Sequence, residues 1–454
     1  MRGRFNVEGQ RVVVVGAARS GVAASELLVR RGASVTLTDV KDRLPDEERL
    51  RAMGIRTELG THRPESFDRA DLIVMSPGVP LELAEVMAAR ARGVTVIGEL
   101  ELASRWLKGP VVAITGTKGK STTTTLVGRM LRAAGFKVLV GGNIGVPLSA
   151  QVDESTEETV HVIEASSFQL EATDTFHPWI AALLNFSPDH LDRHPSEQAY
   201  GSAKARIFAN QTEQDWLVVN ADNPPALALA AAARSRRVTY AVDDTSTANV
   251  FAARGFIWQR TAEGVTPLVP LTAIELAGHH MLSNVAAACA VSQLAGADSA
   301  ALASALEGFT GLEHVMEPVG TVDGVRFVND SKATNIDAAG RSIESFDGVV
   351  AIIGGRYKGG EFADLVPPLR AHGRGVVAIG EARARVREAL GGVVPVVDAD
   401  TLGEAVQAAY ELAHPDGVVL LAPACSSFDM FVDYADRGRV FKAEVERLMN
   451  ARRA

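Results

Sequence analysis

Residues 115–124, TGTKGKSTTT, set a lysine and several hydroxyls on a turn punctuated by glycine. The apolar run Val111–Thr115 leads into the turn and an apolar-periodic segment leaves it, so the pattern predicts strand, loop and helix. Backbone N–H groups at such a helix start face outward and bind anions. Lys120 would reach the β- and γ-phosphates of a nucleotide, and the Ser121 hydroxyl would ligate Mg2+. The strict phosphate loop, G-x-x-x-x-G-K-[ST], requires its first glycine where this chain has Ile114; the nearest is Gly116. The loop is therefore a shortened variant, with an ordinary capped turn as the competing reading.

Other residues of reactive type fall just after apolar runs. Glu164, in VIEASSFQLE, ends a strand, on the edge where open α/β sheets bind ligands. A carboxylate there is the expected second anchor for Mg2+, because burying it unpaired is costly; an ion pair with a basic residue is the alternative. His190, in LNFSPDHLDRH, follows another strand and is either structural or in touch with metal or substrate. Lys204, in YGSAKARIF, reads by itself as a surface lysine on a helix. Later come NDSKATN (residues 329–335), IGGRYKGG (353–360) and APACSSFD (422–429), each after a strand. Lys332, Thr334 and Ser427 there suit a small anion such as a carboxylate, unless these are simply three solvated loops. Near the start, VGAARSG has Ala18 where a dinucleotide fingerprint requires the glycine that lets backbone approach a pyrophosphate, which argues against a dehydrogenase. Asp39, ending the next strand, can still accept hydrogen bonds from a sugar or base.

The elements that must position these residues alternate strand and helix in three blocks. Residues 1–106 read as β/α units, with strands at 12–15, 34–39, 71–76 and 94–98. Residues 107–311 hold strands at 111–115, 137–140, 160–164, 180–185 and 216–219, then short β-like pieces between 237 and 275 and an Ala-rich helical stretch from 281 to 306. Residues 312–454 hold five more strands. This predicts three α/β domains with mainly parallel sheets: a Rossmann-like N-terminal domain, a central domain of phosphate-loop type with a small β-rich portion, and a Rossmann-like C-terminal domain.

Composition narrows the function. The 454 residues are 47% hydrophobic and 22% charged, with net charge −9 and no long basic run, which excludes a nucleic-acid footprint. No apolar stretch is long enough to span a membrane, and the N-terminus runs into a strand without a signal-peptide pattern. Two cysteines, Cys289 and Cys425, make neither a disulfide framework nor a Cys-rich metal site. A cytoplasmic protein is expected. Lysine is scarce among the 46 basic residues, yet Lys120, Lys204, Lys332 and Lys358 all fall in motif-like surroundings.

Taken in order, TGTKGKST, GGNIG, EASSFQLE, DHLDRH and NDSKATN resemble the cytoplasmic Mur ligases of peptidoglycan synthesis, over essentially the whole chain. The phosphate-loop variant alone is shared with folylpolyglutamate synthetases; NDSKATN argues against that alternative. The resemblance implies ATP-dependent ligation of D-glutamate to UDP-N-acetylmuramoyl-L-alanine through an acyl phosphate, with ATP and Mg2+ required and a monomer expected. It implies a first domain that binds the UDP moiety, through Ala18, Arg19, Asp39, Ser76, Pro77 and Gly78, with Asn143 of GGNIG toward the muramoyl part. It assigns Gly116, Thr117, Lys118, Gly119, Lys120, Ser121, Thr122, Asn284 and Asp330 to ATP, and Ser121, Glu164, His190 and Lys204 to Mg2+. Lys204 matches a lysine that is carbamylated in the family, which gives it anionic oxygens of the kind Mg2+ prefers. Lys332, Thr334, Ser427 and Phe428 match the grip on D-glutamate, and Lys358 a lysine near the reacting carboxylates. Catalysis thus falls to Lys120, His190, Lys204 and Lys358. Two positions depart from the family pattern: Met281 stands where an Asn is usual, and Val315 where an ATP-contacting Arg is usual. Weaker or rearranged ATP contacts are expected there. A nucleotide-sugar-binding protein without catalysis is the reading those changes would favour; the retained Lys120, Glu164, His190 and Lys204 argue against it.

Overall fold

The computed structural model describes residues 5–44, 46–190, 193–243, 247–274, 279–357 and 359–453. They form two compact units, residues 1–309 and 310–454.

The first unit holds two sheets. The N-terminal one comprises β1 (Arg11–Val15), β2 (Ser34–Asp39), β3 (Arg56–Leu59), β4 (Leu72–Met75) and β5 (Thr95–Gly98). Their order is β3-β2-β1-β4-β5 and every pairing is parallel. β1 and β4 are continuous apolar runs because helices cover both faces. β3, RTEL, is an edge strand with one fully buried residue, so its sequence carries no apolar run to announce it.

The central sheet contains β6 (Val111–Thr115), β7 (Lys137–Gly142), β8 (Thr159–Glu164), β9 (Ile180–Leu183), β10 (Trp216–Asn220), β11 (Arg236–Ala241), β12 (Val250–Ala253), β13 (Phe256–Thr261) and β14 (Gly264–Pro270). The order is β14-β13-β12-β11-β10-β9-β6-β8-β7. β6 to β12 run parallel, and only the β12–β13 and β13–β14 pairings are antiparallel. The β-rich portion expected between 237 and 275 is thus an extension of the central sheet. β6 sits mid-sheet, buried throughout, with the helix Lys120–Ala133 directly after its loop. That helix packs on His279–Leu294 and Ser299–Leu306, two helices where the Ala-rich stretch read as one.

The second unit carries β15 (Glu317–Val322), β16 (Val325–Asn329), β17 (Val349–Gly354), β18 (Gly373–Ile379), β19 (Val396–Asp398) and β20 (Val418–Leu421) in the order β15-β16-β20-β17-β18-β19. All pairs are parallel except β15–β16, a hairpin absent from the sequence reading. Among the described residues no helix is long and apolar enough to cross a membrane.

Within the first unit, one carboxylate fastens the N-terminal sheet to the central one. Glu101, on the helix Glu99–Ser104 after β5, is fully buried. It accepts from the backbone N–H of Asp174 (2.8 Å), Thr175 (3.0 Å) and Phe176 (2.9 Å), from the Thr175 hydroxyl (2.6 Å) and from Arg105 Nε (2.7 Å). Burial alone would raise its pKa. The Thr175 hydroxyl, the backbone donors and Arg105 outweigh that and hold the carboxyl below its ordinary range. The folded pKa lies below the unfolded value, so the stabilisation is complete above the ordinary carboxylate range and is lost as pH falls through the depressed folded value. Replacing Glu101 by Ala leaves three N–H groups and the half-buried Arg105 without their main acceptor and is expected to cost about 3 kcal/mol in urea unfolding at neutral pH. The gap between wild type and Glu101→Gln should narrow on acidification; a gap independent of pH would contradict this account.

Candidate functional site

The chemistry gathers where β6, β8 and β9 end side by side. Parallel pairing aligns their C-terminal ends: Ile114 lies opposite Glu164, and Thr115 opposite Leu183. After Thr115 the chain turns through residues 116–119 into the helix that starts at Lys120. Gly119 has φ 79°, in the left-handed region, and a Cβ there would lie 2.1 Å from Asn284 Oδ1. Only glycine meets both demands. Asn284 thus presses against the phosphate loop from the neighbouring helix. Met281, one turn earlier, is buried, and its sulfur accepts from Asn284 Nδ2 at 3.7 Å. The departure at 281 therefore orients Asn284 rather than opening a gap.

Asn185, just past β9, clamps the same loop. Its Oδ1 accepts from Lys118 N (2.8 Å), its Nδ2 donates to Lys118 O (3.1 Å), and its carbonyl accepts from Thr117 N (3.1 Å). The Thr117 hydroxyl donates to Ser187 O. Asn185 carried no sequence assignment, although its place in LNFSPDH beside the central strand was the available signal.

Lys120 Nζ folds back onto the carbonyls of Gly116 and Thr117, both at 3.0 Å. Lys204 Nζ donates to the same Gly116 carbonyl at 2.7 Å. The reading of Lys204 as a surface lysine is wrong: it is 1% exposed and sits 4.5 Å from the Tyr200 ring centroid. The four-residue spacing in YGSAK, which stacks Tyr200 and Lys204 on one helix face, was the overlooked sign. Burial first, then the Lys120 charge, drives the Lys204 amine down to about 6. Ser121 is half-buried in the first helical turn, and Thr122 behind it is buried.

Glu164 closes the group. Its Oε1 accepts from Asn143 Nδ2 at 2.6 Å, and its carbonyl accepts from Asn143 N at 2.9 Å. Its Oε2 is buried with no hydrogen-bond partner among the described residues. An anionic oxygen left open in this way is suited to a cation. His190 has φ 54°, and its ring packs between Phe168 (5.0 Å) and Tyr200 (6.0 Å).

A second feature of the first unit is a cavity of about 450 Å3, within the ~300–1,000 Å3 range of small-molecule sites. Ala18, Arg19, Asp39, Ser76, Pro77, Gly78 and Asn143 all line it, so the residues grouped by the resemblance do meet. Ser20, Val40, Val79 and Gln169 join them without having been anticipated. Asp39 accepts from Ala17 N (2.6 Å) and Lys41 N (2.9 Å), fixing the Gly-rich turn. Gly16 is required because a Cβ would meet Val79 Cγ2 at 2.6 Å and Ser76 Cβ at 2.9 Å. Asn143 faces both this cavity and Glu164, which joins the two features.

In the second unit, the loops after β16 and β20 meet at their bases. Ala424 N donates to Ala333 O at 2.9 Å, and the buried Arg437 spans Ser331 and Cys425. Lys332 and Phe428 are exposed, Thr334 is half-buried and Ser427 is buried. Asp330 is buried, which raises its pKa; it accepts from Met316 N and from the Ser342 hydroxyl. Val315 lies in the turn closed by its own N–H on Leu312 O. Lys358 lies outside the described residues.

Comparison with known proteins agrees with this geometry. Residues 10–98 match the Mur ligase MurD-like N-terminal domain, 114–292 the Mur ligase middle domain, and 316–425 the Mur ligase glutamate ligase domain. The UDP-N-acetylmuramoylalanine–D-glutamate ligase of Acidobacterium capsulatum is 46% identical, over 96% of each chain. That of Geotalea uraniireducens is 45% identical, over 97% of this chain and 98% of its own. Among solved structures, the UDP-N-acetylmuramate–alanine ligase of Thermotoga maritima has a similar fold, with a TM-score of 0.59 at 20% identity over 97% of this chain and 100% of its own. With three domain models in sequence and relatives this similar along nearly their full length, the chain belongs to the Mur ligase family.

Proposed function

We propose that this chain is an ATP-dependent amide ligase that joins the amino group of D-glutamate to the carboxylate of UDP-N-acetylmuramoyl-L-alanine in peptidoglycan precursor synthesis. The observation that carries the reading is the meeting of Lys120 and Lys204 on one carbonyl beside Glu164, in a chain whose relatives bear this ligase's name. Two lysines and an open carboxylate at a helix N-terminus suit a polyphosphate and a divalent cation together.

In this reading the cavity beside Asp39 and Ser76 takes the UDP part of the acceptor, and Asn143 receives the end that reacts. The loop 116–122 and Asn284 hold ATP. Lys332, Thr334, Ser427 and Phe428 take D-glutamate. Among the described residues no three His, Cys, Asp or Glu side chains converge as a ready-made metal site. The open Oε2 of Glu164 nevertheless fits Mg2+, with Ser121, His190 and a carbamate on Lys204 as the further holders. Bound there, the ion would neutralise charge on the phosphate oxygens. The neutral Lys204 amine adds to the carbon of CO2 and releases a proton, leaving a carbamate anion.

The acceptor carboxylate then attacks the γ-phosphorus, the bond to the ADP oxygen breaks, and an acyl phosphate forms. Lys120 and the backbone N–H groups of the helix start stabilise the charge that develops. The D-glutamate amine attacks the acyl carbon, loses its proton, and phosphate leaves. His190, on the same sheet edge, orients the reacting groups.

Mixed with ATP, Mg2+ and UDP-N-acetylmuramoyl-L-alanine, the protein should release phosphate only when D-glutamate is added. Release indifferent to D-glutamate, or equal with L-glutamate, would sink the assignment. Lys204→Ala should lose more activity than the ~10–100-fold typical of an outer-shell partner. Added bicarbonate should not restore it, whereas a short carboxylic acid should do so in part. Wild-type activity in that variant removes the carbamate from the mechanism.

A further inference from the structure

Arg193, the cation of the DHLDRH segment, has no part in the chemistry assigned to Lys120, His190 and Lys204. Its side chain is only 17% exposed and is tied on several sides. One guanidinium nitrogen, Nη2, donates to Val79 O at 2.9 Å and to Glu171 Oε1 at 3.2 Å. The other, Nη1, lies 3.7 Å from Glu82 Oε2, and the group sits 5.4 Å from the Phe168 ring centroid. One of these partners lines the sugar-nucleotide cavity, and two others flank a residue that does. Val79 lines it and fills the space left by the missing side chain of Gly16. Gln169, which also lines it, lies between Phe168 and Glu171 on one short stretch.

The backbone of the same residue is tied to His190. Arg193 N and His194 N both donate to His190 O, at 3.0 and 2.9 Å. His190 is in the left-handed region, a strained conformation that persists only where the surroundings impose it. Val79 O, Glu171 and the Phe168 face are those surroundings, reached through one side chain. An arginine suits the place because Nη2 meets two acceptors while Nη1 faces Glu82 and the guanidinium lies near a ring; a compact ammonium has no second nitrogen to reach that far.

We propose that Arg193 is a positioning residue that couples the sugar-nucleotide cavity to the phosphate side of the central sheet, fixing the His190 turn through Val79 O and Glu171. The proposal rests on the ligase reading and names how its acceptor site and its reacting centre are kept in register.

The test uses the full chain in the glutamate-dependent phosphate-release assay, with urea unfolding to establish that each variant is folded. Arg193→Met should raise the KM for the UDP-linked acceptor and lower kcat, each by about tenfold, the scale of a lost charge-assisted hydrogen bond. The KM for D-glutamate should not move, since nothing that Arg193 touches belongs to the loops assigned to that substrate. Arg193→Lys should recover only part of the loss. In a double-mutant cycle with His190→Gln, the two kcat effects should multiply to less than their product. A folded Arg193→Met with unchanged acceptor KM and kcat overturns the proposal, as do equal shifts in all three KM values or fully multiplicative kcat effects. If Arg193→Met does not fold, Glu171→Gln carries the same expectation, with the same outcomes deciding. A wild-type protein without glutamate-dependent release defeats the ligase reading itself; an active wild type with an indifferent Arg193→Met defeats this proposal alone.

Discussion

Two lysine ammonium groups end on a single carbonyl oxygen, that of Gly116, and most of the central site follows from this crowding. Like charges brought together away from water cannot both stay charged without anions nearby. Lys204, the more buried, yields, and its amine is driven toward neutrality. Glu164 offsets part of the positive charge, but Asn143 already engages one of its oxygens and the other is left open. The site lacks negative charge where phosphate would sit and lacks a cation where the carboxylate points. A nucleotide with a divalent cation, as proposed, would correct both deficits, which is why charge balance says more here than any single residue does.

The fold supplies that crowding through parallel pairing. β6, β8 and β9 run the same way, so their last residues reach one edge together and their loops must share the space beyond it. Asn185 braces the phosphate loop from β9, Asn143 braces Glu164 from β7, and Asn284 fills the side-chain space that Gly119 vacates. Three amides hold the loop and the carboxylate in place without adding net charge of their own. The Glu101 cluster performs a comparable task further out, pinning the N-terminal sheet's last helix to the loop after Leu170 so that the cavity and the phosphate edge belong to one unit.

What the sequence disclosed and what it withheld divide along physical lines. Buried parallel strands such as β1, β6 and β17 are unbroken apolar runs and were legible. β3 and β15 lie at sheet edges, where half-exposed residues need not be apolar, and they were not. The phosphate loop and the carboxylate at the end of β8 announced themselves by residue type and spacing. Lys204 did not, because burial of a lysine is decided by what packs over it: Tyr200 on its own helix and Gly116 from a loop almost ninety residues earlier. The family resemblance corrected that residue before any coordinates did. It offered no comparable help for Arg193, whose partners lie on segments distant in sequence, or for Asn185, whose partners are backbone groups that no motif records.

The two Gly-rich turns of the first unit show the difference between holding a group and acting on it. At the first, Gly16 and Gly21 permit close backbone approach, and Asp39 is largely committed to the N–H groups of Ala17 and Lys41. Its chemistry is spent on shape, so it can bind a ligand equally well before, during and after reaction. The second turn has the same strand–loop–helix form but keeps lysines on its carbonyls and an open carboxylate beside it. Those groups gain most when negative charge grows between them, as it does when a phosphoryl group changes hands. Stabilisation that increases along the reaction accelerates it, whereas uniform binding does not. On the proposed reading, the shorter loop around Gly116 would serve the reacting groups and the more regular-looking turn at Gly16 would only hold on.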